Sequence, residues 1–199
     1  MKKISLLVIG VLVGVTAFTQ DFSKDIATAR SSYSSGALQD SRFAMEQMLR
    51  DLDMAIGKEI LKLLPTKLGA LPVVDKQDDV SGTGSYVGLY VNRHYGSDVK
   101  SGSIEIINNS PLINSLNMIL NMPLVGGMMT NENQKVLKVQ GYKSILNKDV
   151  NTETGKTNYQ LQIPMNNTLL TVKMDDSSEG EITGVANGIA LAKIVQIAQ

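Results

Sequence analysis

The sequence predicts an α+β protein, with an N-terminal helical hairpin followed by an antiparallel sheet of about five strands backed by helices. Three observations predict it. Between residues 38 and 64 the apolar residues recur at steps of three and four: Met45, Met48/Leu49, Leu52, Ala55/Ile56, Ile60 and Leu63/Leu64. That is the period of one helix face. From residue 86 onward the apolar period drops to two, as in residues 158–163, where Tyr159, Leu161 and Ile163 alternate with Asn158, Gln160 and Gln162. Most of the alternating runs are joined by short polar turns, the mark of hairpins and not of parallel crossovers.

The chain opens with Lys2 and Lys3, then an uncharged, mostly apolar run over residues 4–18, then small residues and Asp21. This is the order of a secretory signal peptide, expected over residues 1–19. The run is about 15 residues, short of the roughly 20 that span a bilayer. Val15 and Ala17 fit a cut after Ala17; Ala17 and Thr19 fit a cut before Gln20. No cysteine occurs in the 199 residues, which excludes a lipoprotein anchor and leaves stability to the core alone. Removing Lys2 and Lys3 from the 19 basic residues leaves 17 against 19 acidic ones. Such a balance excludes a basic nucleic-acid footprint and a polybasic membrane patch.

A helical hairpin is expected over residues 20–65. Residues 21–35 form a first helix, with Ile26, Ala29, Arg30 and Tyr33 at helical spacing; Gly36 breaks it, and Pro65 ends the second helix. Residues 66–81, rich in Gly, Pro and Asp, connect to an α+β domain over 66–199. Residues 86–95 form its first strand, with Val87, Leu89 and Val91 on one face and Tyr86, Gly88, Tyr90, Asn92 and His94 on the other. Residues 103–108 complete a hairpin. Ser110 and Pro111 start a helix over 111–122, as N-cap and first residue. Residues 135–147, 158–163 and 169–174 are expected as single strands. Ser178 and Glu181 form a capping box for a last helix, which breaks near Asn187-Gly188. The helices 111–122 and 179–197 are expected on one sheet face, with helix 38–64 as a further candidate for it. The other face carries Gln, Lys, Tyr and Asn and is expected to be wet.

Within the hairpin, ARSSYSSGALQDSRFAMEQML resembles a tetratricopeptide unit through Ala29, Tyr33, Gly36 and Ala44. A single unit implies no solenoid, because such repeats bury a core only by stacking. Over 135–199, a strand with Gly141-Tyr142, a tight strand pair, an acidic-Ser turn and a broken helix resemble small exported bacterial proteins of the PsbP-like or LolA-like sort. The resemblance is one of pattern and implies no functional residues.

The segment GTGSYVG places Gly82 and Gly84 as a dinucleotide fingerprint would, but Val occupies position 87 and the third glycine arrives at 88, inside a strand. His94 is the sole histidine, and no G-x-S-x-G elbow accompanies it. The acidic clusters Asp75/Asp78/Asp79 and Asp175/Asp176/Glu179/Glu181 lack the spacing of a calcium loop. With no Trp, three Phe and six Tyr, a sugar-stacking cleft is disfavoured. No catalytic, metal or cofactor residues are therefore expected, and a hydrolase is the least favoured class. Four of the ten methionines lie in NMILNMPLVGGMM, and methionine suits adaptable binding surfaces. The expected contact surface comprises Tyr86, Tyr90, His94, Tyr142, Met122, Met128 and Met129. The expected partner is a protein or an apolar small molecule, met in the periplasm or outside the cell.

Overall fold

The computed structural model describes residues 13–82, 88–122 and 133–198, with side chains from Phe22 onward. The chain divides into two units, Met1–Leu52 and Asp53–Gln199. The first holds α1 (Val13–Ser34) and the opening turns of α2 (Leu38–Leu63). α1 begins well before the expected residue 21. Ala29, Ser41 and Ala44 are buried, and the Ser41 hydroxyl donates to the Ala29 carbonyl at 2.9 Å. Small side chains here let the two helices come close. No helix among the described residues is long and apolar enough to cross a membrane.

The second unit takes the end of α2, a two-stranded sheet of β1 (Lys67–Leu68) and β2 (Leu71–Pro72), and a 3-10 turn at Asp75–Gln77. β3 (Asp79–Ser81), β4 (Tyr90–Gly96) and β5 (Ser101–Asn108) follow, then α3 (Leu112–Asn121). β6 (Gln134–Val139), β7 (Tyr142–Val150), β8 (Thr157–Met165) and β9 (Thr168–Met174) form a meander, closed by α4 (Glu179–Gly188) and α5 (Leu191–Ala198). The main sheet has seven antiparallel strands in the order β3-β4-β5-β9-β8-β7-β6.

The main sheet has two strands more than expected, and the small β1-β2 sheet lies in the segment expected as a connection. β3 comes from the polar connection. The other arises because KVLKVQGYKSILN is a hairpin, with Val139 paired to Tyr142 across Gln140 and Gly141. Both turn residues have positive φ, 49° and 89°, the demand of a type I′ turn that glycine meets without strain.

One sheet face carries the main core. Leu89, Val91, Ile104, Ile106, Leu161, Ile163, Leu170 and Val172 lie there, 0–1% exposed, against Ile60 and Leu64 of the α2 end, Ile182 and Ala186 of α4, and Leu191 and Ile194 of α5. α3 packs on the opposite face, where Ile113, Leu116 and Leu120 meet Ile145 and Leu169. This corrects the expectation that both sheet-domain helices share one face. The strands mark the spot with adjacent buried pairs, Ile145-Leu146 and Leu169-Leu170, which only a sheet covered on both sides requires.

Polar contacts fix the helix ends. Arg93 reaches Asp78 through Nε at 3.0 Å and Nη2 at 2.6 Å, and its Nη1 donates to the Leu61 carbonyl of α2 at 2.8 Å. The Tyr95 hydroxyl donates to the Pro65 carbonyl at 2.8 Å. The Gln140 amide donates to the Ile189 carbonyl at 2.8 Å, beyond the C-terminus of α4. Ser178 and Glu181 form the expected capping box, and α4 and α5 break where Asn187-Gly188 predicted.

Candidate functional site

Among the described residues, α3 covers only part of its sheet face. Strand register defines what remains. One row runs Asp79, Asn92, Glu105, Thr171, Gln162 and ends at Ile145 beneath α3. The next runs His94, Ser103, Lys173, Gln160, Asn147 and Gln134. Tyr90 lies on the same face, two residues from Asn92. In these rows the side chains stand roughly 5 Å apart across strands and roughly 7 Å apart along them.

Apart from exposed Asp79 and Lys173, buried Thr171 and buried Ile145, these side chains are half-buried. Gln134 donates to the Asn147 amide oxygen at 2.8 Å, and Asn147 donates to Gln162 at 3.3 Å. The Asn92 amide and His94 Nε2 are 2.9 Å apart. Among the described residues, the buried Asn92 amide oxygen has no hydrogen-bond partner. Tyr90 approaches Glu105 at 3.5 Å, and burial, then that carboxylate, raise its phenol above the ordinary tyrosine value. The face is thus mostly neutral amides and hydroxyls in fixed positions. Among the described residues, no group of three or more His, Cys, Asp or Glu converges to hold a metal ion.

The expected contact residues separate. Tyr90 and His94 share the polar face, one strand turned to one side. Tyr142 does not join them: it packs against the main core on the opposite face. The cause is the hairpin at Gln140-Gly141. In one continuous strand Tyr142 would share a face with Val136, whereas the turn pairs Val136 with Ile145 and reverses the parity. Met122 is 50% exposed at the end of α3. It borders an open groove of about 360 Å³ with Ile119, Leu120, Val136 and Leu137, and Lys138 and Lys143 also line it. Lys143 donates to the Leu120 carbonyl at 3.1 Å, at the C-terminal turn of α3. Tyr86, Met128 and Met129 lie outside the described residues.

Glu105, Ser103 and Asn147 belong to the face but were not singled out from the sequence. The alternation in SIEIIN held the signal for Glu105, which must oppose the buried Ile104 and Ile106. Comparison of the chain with family models, with curated proteins and with solved structures returned no match.

Proposed function

We propose that the chain is an exported, non-enzymatic binding module that holds a protein partner across the polar face of its sheet. The observation that carries this reading is the pair of half-buried polar rows beyond α3, Asn92 to Gln162 and His94 to Asn147. They offer directed donors and acceptors over a broad surface, whereas small-molecule sites are concave. The export part rests on Lys2, Lys3 and the apolar run that follows them.

A second reading, a carrier of an apolar small molecule, draws on the groove beside Met122. Its volume of about 360 Å³ falls at the low end of small-molecule sites, and two lysines line it. Affinity capture from the native envelope fraction, followed by native mass spectrometry, separates the two. A stoichiometric protein complex is expected. A lipid-sized adduct on the chain alone would favour the groove instead.

A further inference from the structure

We infer that the helical hairpin pairs with a second copy of this chain, two hairpins closing into a four-helix bundle. This stands apart from the binding role of the sheet face and uses none of its residues. Among the described side chains, the buried seam of the hairpin consists of the small residues Ala29, Ser41 and Ala44, all under 9% exposed. The large ones beside it are not covered. Phe22, Ile26 and Tyr33 share the stripe of Ala29 on α1, at helical steps of three and four. Met45, Leu49 and Leu52 share that of Ser41 on α2. Their exposures are 38, 47 and 69%, then 45, 53 and 49%.

The Ser41–Ala29 hydrogen bond sets the alignment of the antiparallel helices. Rises of three and four residues from it bring Ile26 within one residue's rise, about 1.5 Å, of Met45, and rises of seven and eight do the same for Phe22 and Leu49. The two stripes therefore form one open apolar strip and not scattered single residues. Two helices alone bury each other along one seam only, so such a strip calls for further helices.

Area and charge identify the occupant. The six side chains expose on the order of 600 Å², near the ~800 Å² per partner of a standard interface and at the upper end of what monomers leave bare. Residues 21–52 carry four basic side chains (Lys24, Arg30, Arg42, Arg50) and five acidic ones (Asp21, Asp25, Asp40, Glu46, Asp51). A membrane-surface helix needs an excess of Lys and Arg on its polar face, which is missing here. With a net charge of only −1 over these residues, a second copy meets little repulsion. A two-fold axis sets apolar strip on apolar strip and mixed-charge rim on mixed-charge rim, the isologous pattern of closed dimers.

Sedimentation equilibrium of the purified protein at micromolar concentration tests the assignment. The chain is expected at twice its monomer mass. A Met45→Glu/Leu49→Glu variant is expected as monomer with an unchanged circular dichroism spectrum, since both sites are about half exposed. Tyr33→Asp, at the other end of the strip, is expected to weaken the dimer at least tenfold. A wild-type monomer at that concentration overturns the proposal, as does a dimer that survives all three substitutions. A monomer that binds vesicles of phosphatidylethanolamine and phosphatidylglycerol would assign the strip to a lipid surface instead.

Discussion

Replacing Arg93 by methionine removes the contact that ties β4 to both Asp78 and the last turn of α2. The side chains of Arg93 and Asp78 are 11% and 14% exposed, and the guanidinium makes three contacts of 3.2 Å or less with the carboxylate. Those hydrogen bonds raise the Arg93 pKa, outweighing its desolvation. Breaking a buried pair from one side costs about 3–5 kcal/mol, because the other charge is left stranded. Here some water reaches Asp78, which places the cost at the lower end, about 3 kcal/mol. With a urea m-value of about 2 kcal/mol/M, the unfolding midpoint drops by about 1.5 M. Urea titration followed by circular dichroism reads the shift. Removing both charges, in Arg93→Met/Asp78→Asn, is expected to cost at least about 1.5 kcal/mol less than the sum of the single changes. A single-variant loss under about 1 kcal/mol, or strict additivity, would show that the pair is not coupled in this way.

Two further outcomes follow from packing and ionisation. Gly57→Ala gains about 1 kcal/mol of helix propensity, yet an added Cβ overlaps Val80 Cγ1 and lies 3.1 Å from Leu89 Cδ1. Overpacking of about 1–3 kcal/mol outweighs the gain, so the thermal midpoint falls, and Gly57→Ala/Val80→Ala recovers part of the loss; a raised midpoint for the single variant contradicts this close approach. Burial raises the Tyr95 phenol well above its ordinary value, so the fold prefers the protonated form. That stability is complete below the unfolded value near pH 10 and is lost as pH rises beyond it, at about 1.4 kcal/mol per pH unit. Tyr95→Phe costs about 1 kcal/mol at pH 7, through the lost bond to Pro65, and flattens the alkaline limb of the wild-type curve. Equal slopes in the two proteins between pH 10 and 11 would contradict the assignment.

Local chemistry was legible in the sequence wherever it acts over a few residues. The Gly36 break, the stop at Pro65 and the Ser178/Glu181 box each depend on backbone groups within one turn, and each appears where expected. Strand parity was also legible where one face is apolar, so Leu89 and Val91 point to the core while Tyr90, Asn92 and His94 point away. The type I′ turn at Gln140-Gly141 was hidden because glutamine is an unusual residue at positive φ and the flanking residues continue an apolar run. That one turn moved Tyr142 to the other face. The side chosen by α3 was out of reach for a different reason. It depends on β9 pairing with β5, a contact between distant segments that no local pattern encodes.

The proposed function places the partner on the polar rows and not on the α3 groove. The most direct measurement is affinity capture from the native envelope with three baits: the wild-type chain, Asn92→Ala/Gln160→Ala/Gln162→Ala, and Met122→Asp. The triple change removes half-buried polar groups from the face and leaves the buried core untouched. One protein is expected to be retained by the wild type and by Met122→Asp and lost from the triple variant. Retention by the triple variant together with loss from Met122→Asp would contradict it.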